Sequence, residues 1–305
     1  MTLASNLGFP RIGRRRELKQ ALERFWAGES DAASLEAEAA ALRRRHWKLQ
    51  AGSGIAHVPS GEFALYDHVL DTACMLGAIP AGYGWAGGPV SLETYFALAR
   101  GVGSADGRGR PAMEMTKWFD TNYHYLVPLL EAGQRFELTS NRVLGQFREA
   151  MALPMRTRPV LLGPVSFLML SKTVDGSDPL DLLDRVLPVY GQVLGELAEA
   201  GAAWVQVDEP MLALDLTEKA RQAFGHAYGV LASGAAPEML VASYFGALGD
   251  NLATAAALPV SGLHVDLVRG AAELDSVLGA VPAERWLSLG MVDGRNVWRC
   301  DLRAA

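Results

Sequence analysis

Short apolar runs that alternate with helical patterns are the feature that most limits the folds open to this chain of 305 residues. Together with an opening segment that ends in a glycine turn, they make seven predicted strands. The six later runs are residues 55–59, 159–162, 204–207, 239–243, 262–265 and 286–291. Such alternation predicts an α/β fold with a parallel sheet covered by helices. At this length we expect a (β/α)8 TIM-type barrel, because no GxGxxG follows the first strand as a dinucleotide-binding doubly wound sheet would require.

Seven strands are one fewer than a closed barrel of this type contains. Either residues 113–118 supply an eighth strand, or the barrel is incomplete and its last strand and helix lie beyond the chain end. We favour the second interpretation, because the first and seventh strands would otherwise have exposed edges that need covering. We expect residues 1–305 to form a single domain, with the glycine-rich stretch 101–110 as a loop.

Composition restricts the partners of the chain. A formal net charge of −6 disfavours nucleic-acid and membrane-surface proteins, which usually carry a basic excess. The two cysteines, Cys74 and Cys300, are far apart and form no CxxC motif, so the sequence predicts neither a disulfide framework nor a cysteine zinc site. The chain contains no apolar run of about 18 residues and no signal-type leader, and we expect a cytoplasmic location.

A dense basic segment, LGFPRIGRRRELK, occupies residues 7–19. The helical spacing that follows predicts that the three arginines at 14–16 lie in the first turn of a helix. Each would cost about 0.3–1 kcal/mol there, because that end of a helix is already positive. Lys19 shares a face with Arg15 and Arg16, and Arg11 lies on the incoming segment. The cluster can bind several carboxylates or phosphates, or it can be a solvated basic face.

A second basic run lies within a predicted helix at residues 31–50. Apolar residues fall on one side of this helix, and Arg43, Arg44 and Arg45 cover the rest. We expect this run to be solvent-exposed surface.

Polar clusters follow several predicted strands. In a barrel the functional groups lie at these carboxyl ends of the strands. They are Asp208 with Glu209, His264 with Asp266, and Asp293 with Arg295 and Asn296. Asp208 and Glu209 can act as acid and base or hold an amine, or they can accept backbone N–H bonds. His264 and Asp266 are more typical of a hydrogen-bonded pair than of a metal site, because no further ligands have recognisable spacing.

Aromatic residues surround Lys117 in the segment EMTKWFDTNYHY, residues 114–125. They are Trp118, Phe119, Tyr123 and Tyr125. This pattern is typical of a binding cleft and equally of a buried aromatic cluster. A lysine among aromatic side chains favours the cleft, since its charge is costly to bury without an anion.

Seven segments of the chain, in the same order, closely resemble the amino-terminal half of cobalamin-independent methionine synthase. They are LGFPRIGRRRELK, YDHVLDT, EMTKWFDTNYHY, PVLLGPVSFL, WVQVDEP, GLHVDLV and VDGRNVWR. The resemblance implies one of the family's two (β/α)8 barrels. The family transfers a methyl group from 5-methyltetrahydropteroyl-triglutamate to homocysteine, and its zinc lies in the carboxy-terminal barrel. We therefore expect no cofactor, metal ligand or catalytic residue in this chain, which alone should be inactive and need the zinc barrel in cis or in trans.

The same resemblance assigns binding residues. Arg16, Glu17, Leu18 and Lys19 match the family's motif for the folate polyglutamate tail, and Lys117 matches its distant partner lysine. Arg15, Asp208 and Glu209 are weaker candidates. Two alternatives remain: a free-standing, non-catalytic folate-binding or partner module, and an independent barrel enzyme that uses Asp208 and Glu209.

Overall fold

The computed structural model describes residues 2–103, 109–301 and 303, and it shows a curled parallel sheet with helices on its outer face. The helices are α1 (Glu17–Trp26), α2 (Ala32–Gly52), α3 (His68–Met75), α4 (Leu92–Arg100), α5 (Arg142–Met151), α6 (Pro164–Met169), α7 (Leu183–Glu199), α8 (Glu218–Ala232), α9 (Leu252–Ala257) and α10 (Leu274–Ala280). The strands are β1 (Val58–Ser60), β2 (Met115–Lys117), β3 (His124–Leu126), β4 (Leu129–Leu130), β5 (Thr157–Leu162), β6 (Lys172–Thr173), β7 (Trp204–Asp208), β8 (Glu238–Ala242), β9 (Gly262–Asp266) and β10 (Trp286–Gly290).

Six strands form the main sheet in the order β1-β5-β7-β8-β9-β10, and every neighbouring pair is parallel. The predicted first strand is reduced to one parallel bridge, between Ser5 and His57, at the outer edge of β1. Within the described residues, β10 has no strand partner on its other side, so the sheet is an open half-barrel. The prediction of an α/β TIM-type barrel with an open edge is confirmed.

The alternative eighth strand at residues 113–118 is wrong. Strand β2 lies there, but it pairs antiparallel with β3, with Thr116 opposite Tyr125, and the two form a separate hairpin. Only six residues connect β2 to β3. This connection is too short for the crossover that two parallel strands need. In the predicted loop 101–110, Val102 pairs with Arg110, and residues 104–108 lie outside the described part of the chain.

The apolar core lies between the sheet and its helices. Val207 is opposite Val241, which is opposite Leu263, and all three side chains are at most 1% exposed. A smaller core joins α1 to α2, where Leu18 and Leu42 are buried. Nothing among the helices of the described residues has the length and apolar character needed to cross a membrane.

The second basic run is only partly surface. Arg43 is 7% exposed, and its guanidinium donates to the Glu149 carboxylate at 2.9 and 2.7 Å. Arg45 forms an ion pair with Glu17, while Arg44 is exposed. The prediction of a solvent-exposed run is therefore wrong for Arg43, whose partner lies 106 residues away on α5.

The concave face of the sheet, turned away from the helices, is polar. Arg158 donates to the Asn6 carbonyl at 2.8 Å and to the Gln206 side chain at 2.6 Å. Gln206 donates to the Leu7 carbonyl at 3.1 Å. These bonds hold residues 6–7 against the concave face, and the chain then leaves towards the carboxyl ends of the strands.

Glu209 anchors the start of α6. It is fully buried, and its carboxylate accepts the Ser166 amide at 2.8 Å and the Tyr228 hydroxyl at 3.0 Å. The Val165 amide donates to the same group at 3.4 Å. A carboxylate at a helix N-terminus satisfies amides that have no partner within the helix. Gly163 makes room for it, because a Cβ at that position would lie 2.1 Å from the Glu209 carboxyl carbon.

Gly163→Ala is expected to destabilise the fold by about 1–3 kcal/mol, because the added methyl group would displace the Glu209 carboxylate from the α6 amides. The free energy of unfolding, from urea titration, measures this. Gly145→Ala in α5 is the control: among the described residues, no atom outside its chain neighbours and the backbone of its own helix lies within 4 Å of the added Cβ. Alanine also favours a helix over glycine there by up to about 1 kcal/mol, so the control should be neutral or stabilising. A Gly163→Ala variant as stable as the wild type would contradict this account.

Candidate functional site

The basic segment forms a tight turn before α1 rather than the first turn of that helix. The helix begins at Glu17, so Arg14, Arg15 and Arg16 all precede it, and the prediction that they occupy its first turn is wrong. Arg16 is the N-cap residue, with a left-handed backbone (φ 62°), and its amide donates to the Gly13 carbonyl at 3.1 Å. A non-glycine residue in this conformation is uncommon and concentrates at functional sites.

Glu17 stabilises the turn. Its carboxylate accepts the Arg15 amide at 2.8 Å and pairs with the Arg45 guanidinium at 2.8 Å. Backbone hydrogen bonds at Glu17 and Arg15 lower the pKa of this carboxyl, which is therefore ionised at neutral pH. Leu18 is fully buried and fixes the start of the helix to the core. These two residues stabilise the turn, and neither has a positively charged group that could bind an anion.

Cationic side chains at the turn are exposed and mostly without acidic partners. Arg14, Arg15 and Arg16 are exposed, and within the described residues no acidic side chain lies within 4 Å of their guanidinium groups. Lys19 forms an exposed pair with Glu23 at 3.4 Å, one turn along α1. Such surface pairs contribute little energy and can open to a ligand. The turn thus presents several positive charges in a chain that is acidic as a whole.

Lys117 lies on another element, at the end of β2 and opposite His124. It is exposed, and in the part of the chain that the structure describes no acidic side chain is within 4 Å of its amine. Of its predicted aromatic surroundings, Trp118 and Tyr125 are buried in the core and Tyr123 is 69% exposed. The rings of Phe119 and Tyr125 pack against Trp118, so these three residues form a packed cluster rather than a cleft around Lys117.

The basic turn and the hairpin are linked at the carboxyl end of β1. The Arg11 guanidinium donates to the carbonyls of Ala64 and Tyr66, in the loop that follows this strand. Next to Tyr66, Asp67 caps α3 and accepts the Leu126 amide of β3 at 3.1 Å. Both cationic elements thus pack on one loop at the end of the sheet where barrels of this type place their sites.

Asp208 and Glu209 do not form an open acid and base pair. Glu209 is engaged by the α6 amides, and burial raises its pKa to about 7. Asp208 accepts Gln206 at 2.6 Å and Tyr244 at 3.0 Å, and burial raises its pKa to about 6. The described contacts of Glu209 are those of a structural residue, which disfavours the independent enzyme that uses this pair.

The other polar clusters also have hydrogen-bond partners, but the predicted pair of His264 and Asp266 is wrong, because Asp266 accepts the backbone amides of Phe245, Val268 and Arg269. His264 contacts Ser288 at 2.8 Å, and burial lowers the His264 pKa to about 4. Asp293 accepts the Arg295 amide and the Asn296 side chain within its own turn. Among the described residues, no three His, Cys, Asp or Glu side chains are grouped so that they could hold a metal ion.

Sequence reasoning missed the residues that connect the site to the sheet. Arg158 and Gln206 hold the N-terminal segment, and Asp120 at the hairpin end pairs with Arg269 and Arg295. A charged residue inside a buried strand was the available signal for Arg158, because such a charge needs a buried partner. No pattern in the sequence pairs Asp120 with arginines more than 140 residues away.

Glu209→Gln is expected to remove a pH-dependent part of the stability. Because the folded-state pKa of about 7 is above the ordinary value of 4.5, the protonated carboxyl stabilises the fold. The stability that the protonated Glu209 carboxyl contributes is present in full below the ordinary pKa of 4.5, and it is lost as the pH rises through 7. The shift corresponds to on the order of 3 kcal/mol.

Urea unfolding of both proteins at pH 5 and pH 8 measures this contribution. The wild type should lose more stability between the two pH values than Glu209→Gln does. The same pH dependence in both proteins would show that Glu209 does not titrate in this way.

Comparison with known proteins gives one consistent result. A sequence model of the family described as "Cobalamin-independent synthase, N-terminal domain" matches residues 3–305. A 5-methyltetrahydropteroyltriglutamate–homocysteine methyltransferase of Acidiphilium cryptum is 68% identical over all of this chain, and one of Chelativorans sp. is 58% identical over 98% of it. The chain spans about 40% of the length of each of these relatives.

Solved structures show the same fold at low sequence identity. A putative vitamin-B12-independent methionine synthase of Listeria monocytogenes matches 99% of this chain and 84% of its own, with a TM-score of 0.66 and 14% identity. A B12-independent methionine synthase of Shewanella sp. matches 86% of this chain and 82% of its own, with a TM-score of 0.60 and 13% identity.

Proposed function

The chain belongs to the cobalamin-independent synthase family, of which it is an N-terminal domain, and we propose that this domain binds the polyglutamate tail of 5-methyltetrahydropteroyl-triglutamate. The observation that carries the proposal is the set of exposed cations without acidic partners at the turn before α1, in a chain of net charge −6. A triglutamate tail supplies several carboxylates, and charge-assisted hydrogen bonds to lysine and arginine are the strong ones.

The proposed roles differ among the residues of the tail motif, its partner lysine and the neighbouring Arg15. Arg16, Lys19 and Lys117 bind carboxylates, and Arg15 adds to the positive field. Glu17 and Leu18 position the turn, because the Glu17 carboxylate is engaged and Leu18 is buried. The left-handed Arg16 supports a turn that is formed before the ligand arrives.

We further propose that methyl transfer to homocysteine belongs to a longer assembly. The matched relatives are about two and a half times as long as this chain, and their names state this reaction. Zinc chemistry would then be supplied by a carboxy-terminal barrel, in cis or in trans. The described residues of this chain offer no ligand cluster for zinc, and we assign it no catalytic step. A cytoplasmic location fits the two unpaired cysteines.

The proposal predicts a preference for the polyglutamyl ligand. Isothermal titration of the 305-residue chain should show about tenfold or tighter binding of triglutamyl than of monoglutamyl methyltetrahydrofolate. Arg16→Ala, Lys19→Ala and Lys117→Ala should each weaken binding of the triglutamyl ligand by about tenfold and leave the monoglutamyl ligand unaffected.

Lys48→Ala is the matched control, because it removes an exposed positive charge from α2 and, among the described residues, no hydrogen bond or ion pair joins Lys48 to the turn. It should change neither affinity. Equal affinity of the wild-type chain for the two ligands, or binding of neither, would refute the proposed function.

A further inference from the structure

The hairpin of β2 and β3 reaches across the carboxyl end of the open sheet. At its base, the Leu126 amide donates to Asp67, at the start of the helix that follows β1. The hairpin tip, residues 118–123, contacts the loops that follow β8, β9 and β10 at the other edge of the sheet. One short hairpin therefore connects the first and last strands of the sheet, which hydrogen bonds among the described residues do not close.

The apolar part of this connection is a pair of phenylalanines. The rings of Phe119 in the tip and Phe245 after β8 lie 5.0 Å apart, and Trp118 lies 6.2 Å from Phe245. Both phenylalanines have left-handed backbones, with φ of 52° and 78°. Bulky residues keep this costly conformation only where their surroundings enforce it. The contact is thus a specific arrangement of both loops.

The polar part is an ion-pair network centred on Asp120. Its carboxylate accepts Arg269 at 2.6 Å and Arg295 at 3.1 Å, and its carbonyl accepts Arg295 at 3.3 Å. Arg269 also donates to the Phe245 carbonyl at 3.1 Å, so it joins the ionic and apolar contacts. The hydrogen bond from Arg269 is the largest of the effects that lower the pKa of Asp120, which is therefore ionised at neutral pH.

The position of Lys117 depends on this tip. Lys117 directly precedes Trp118, whose amide closes the tip by donating to the Tyr123 carbonyl at 2.8 Å. A tip that swings away from the sheet would carry Lys117 with it. Exposed ion pairs add little to global stability, so the network affects chiefly where the tip lies.

We propose that Asp120 is a positioning residue: held by Arg269 and Arg295, it fixes the hairpin tip across the sheet and so places Lys117 for the polyglutamate tail. The inference rests on the proposed function and assigns to it three residues that the family's tail motif in this chain does not include.

The test is a double-mutant cycle in the 305-residue chain. Asp120→Asn keeps the shape of the side chain and removes its charge. It should weaken binding of triglutamyl methyltetrahydrofolate by about fivefold in isothermal titration, with the monoglutamyl affinity and the thermal unfolding midpoint unchanged. In a Lys117→Ala background, Asp120→Asn should have no further effect, because it acts through the lysine.

Glu114→Gln is the matched control. Glu114 pairs with Lys172 at 2.7 Å at the hairpin base, with exposure similar to that of Asp120, and its loss should leave both affinities unchanged. A wild-type affinity in Asp120→Asn, an equal loss in the Lys117→Ala background, or an equal loss in Glu114→Gln would overturn the inference alone. If the wild-type chain shows no preference for the triglutamyl ligand, the proposed function fails and the inference fails with it.

Discussion

The buried guanidinium of Arg158 is the contact on which the placement of the candidate site depends. It lies on the concave face of the sheet, where burial lowers its pKa to about 10, still well above neutral pH. It donates to the carbonyl of Asn6, and its partner Gln206 donates to that of Leu7. Segments before a first helix are usually poorly ordered unless something ties them down. Here two strand residues tie down the segment, and the basic turn follows within ten residues.

The strands were predictable because their signal is local. Short apolar runs mark the strands of the parallel sheet, including the partly exposed edge strand β10, and the predicted bounds of β7, β9 and β10 differ from the structure by a single residue each. The opening strand was overestimated, since only Ser5 pairs with the sheet. The β2–β3 hairpin was missed because its two strands are three residues long, and its aromatic content also fits a binding cleft.

The charged residues were harder to predict, because their partners lie far away in the chain. Arg43 has the same local pattern as Arg44 and Arg45, yet only Arg43 meets the Glu149 carboxylate and becomes buried. Glu209 at a strand end has the pattern of a catalytic acid, and the structure uses it to bind the amides of α6. Side-chain chemistry in a sequence thus indicates which groups can react, while the fold decides which of them remain free.

The contacts of residues 5–7 with the sheet also determine at which end of the strands the chain enters the half-barrel. Ser5 pairs with His57 next to the start of β1, so the segment that precedes it lies at the amino end of the strands. The turn at Arg16 and the hairpin lie at the opposite end. An affinity tag joined ahead of Ser5 would therefore tether the protein to a sensor surface with its cationic end directed into solution.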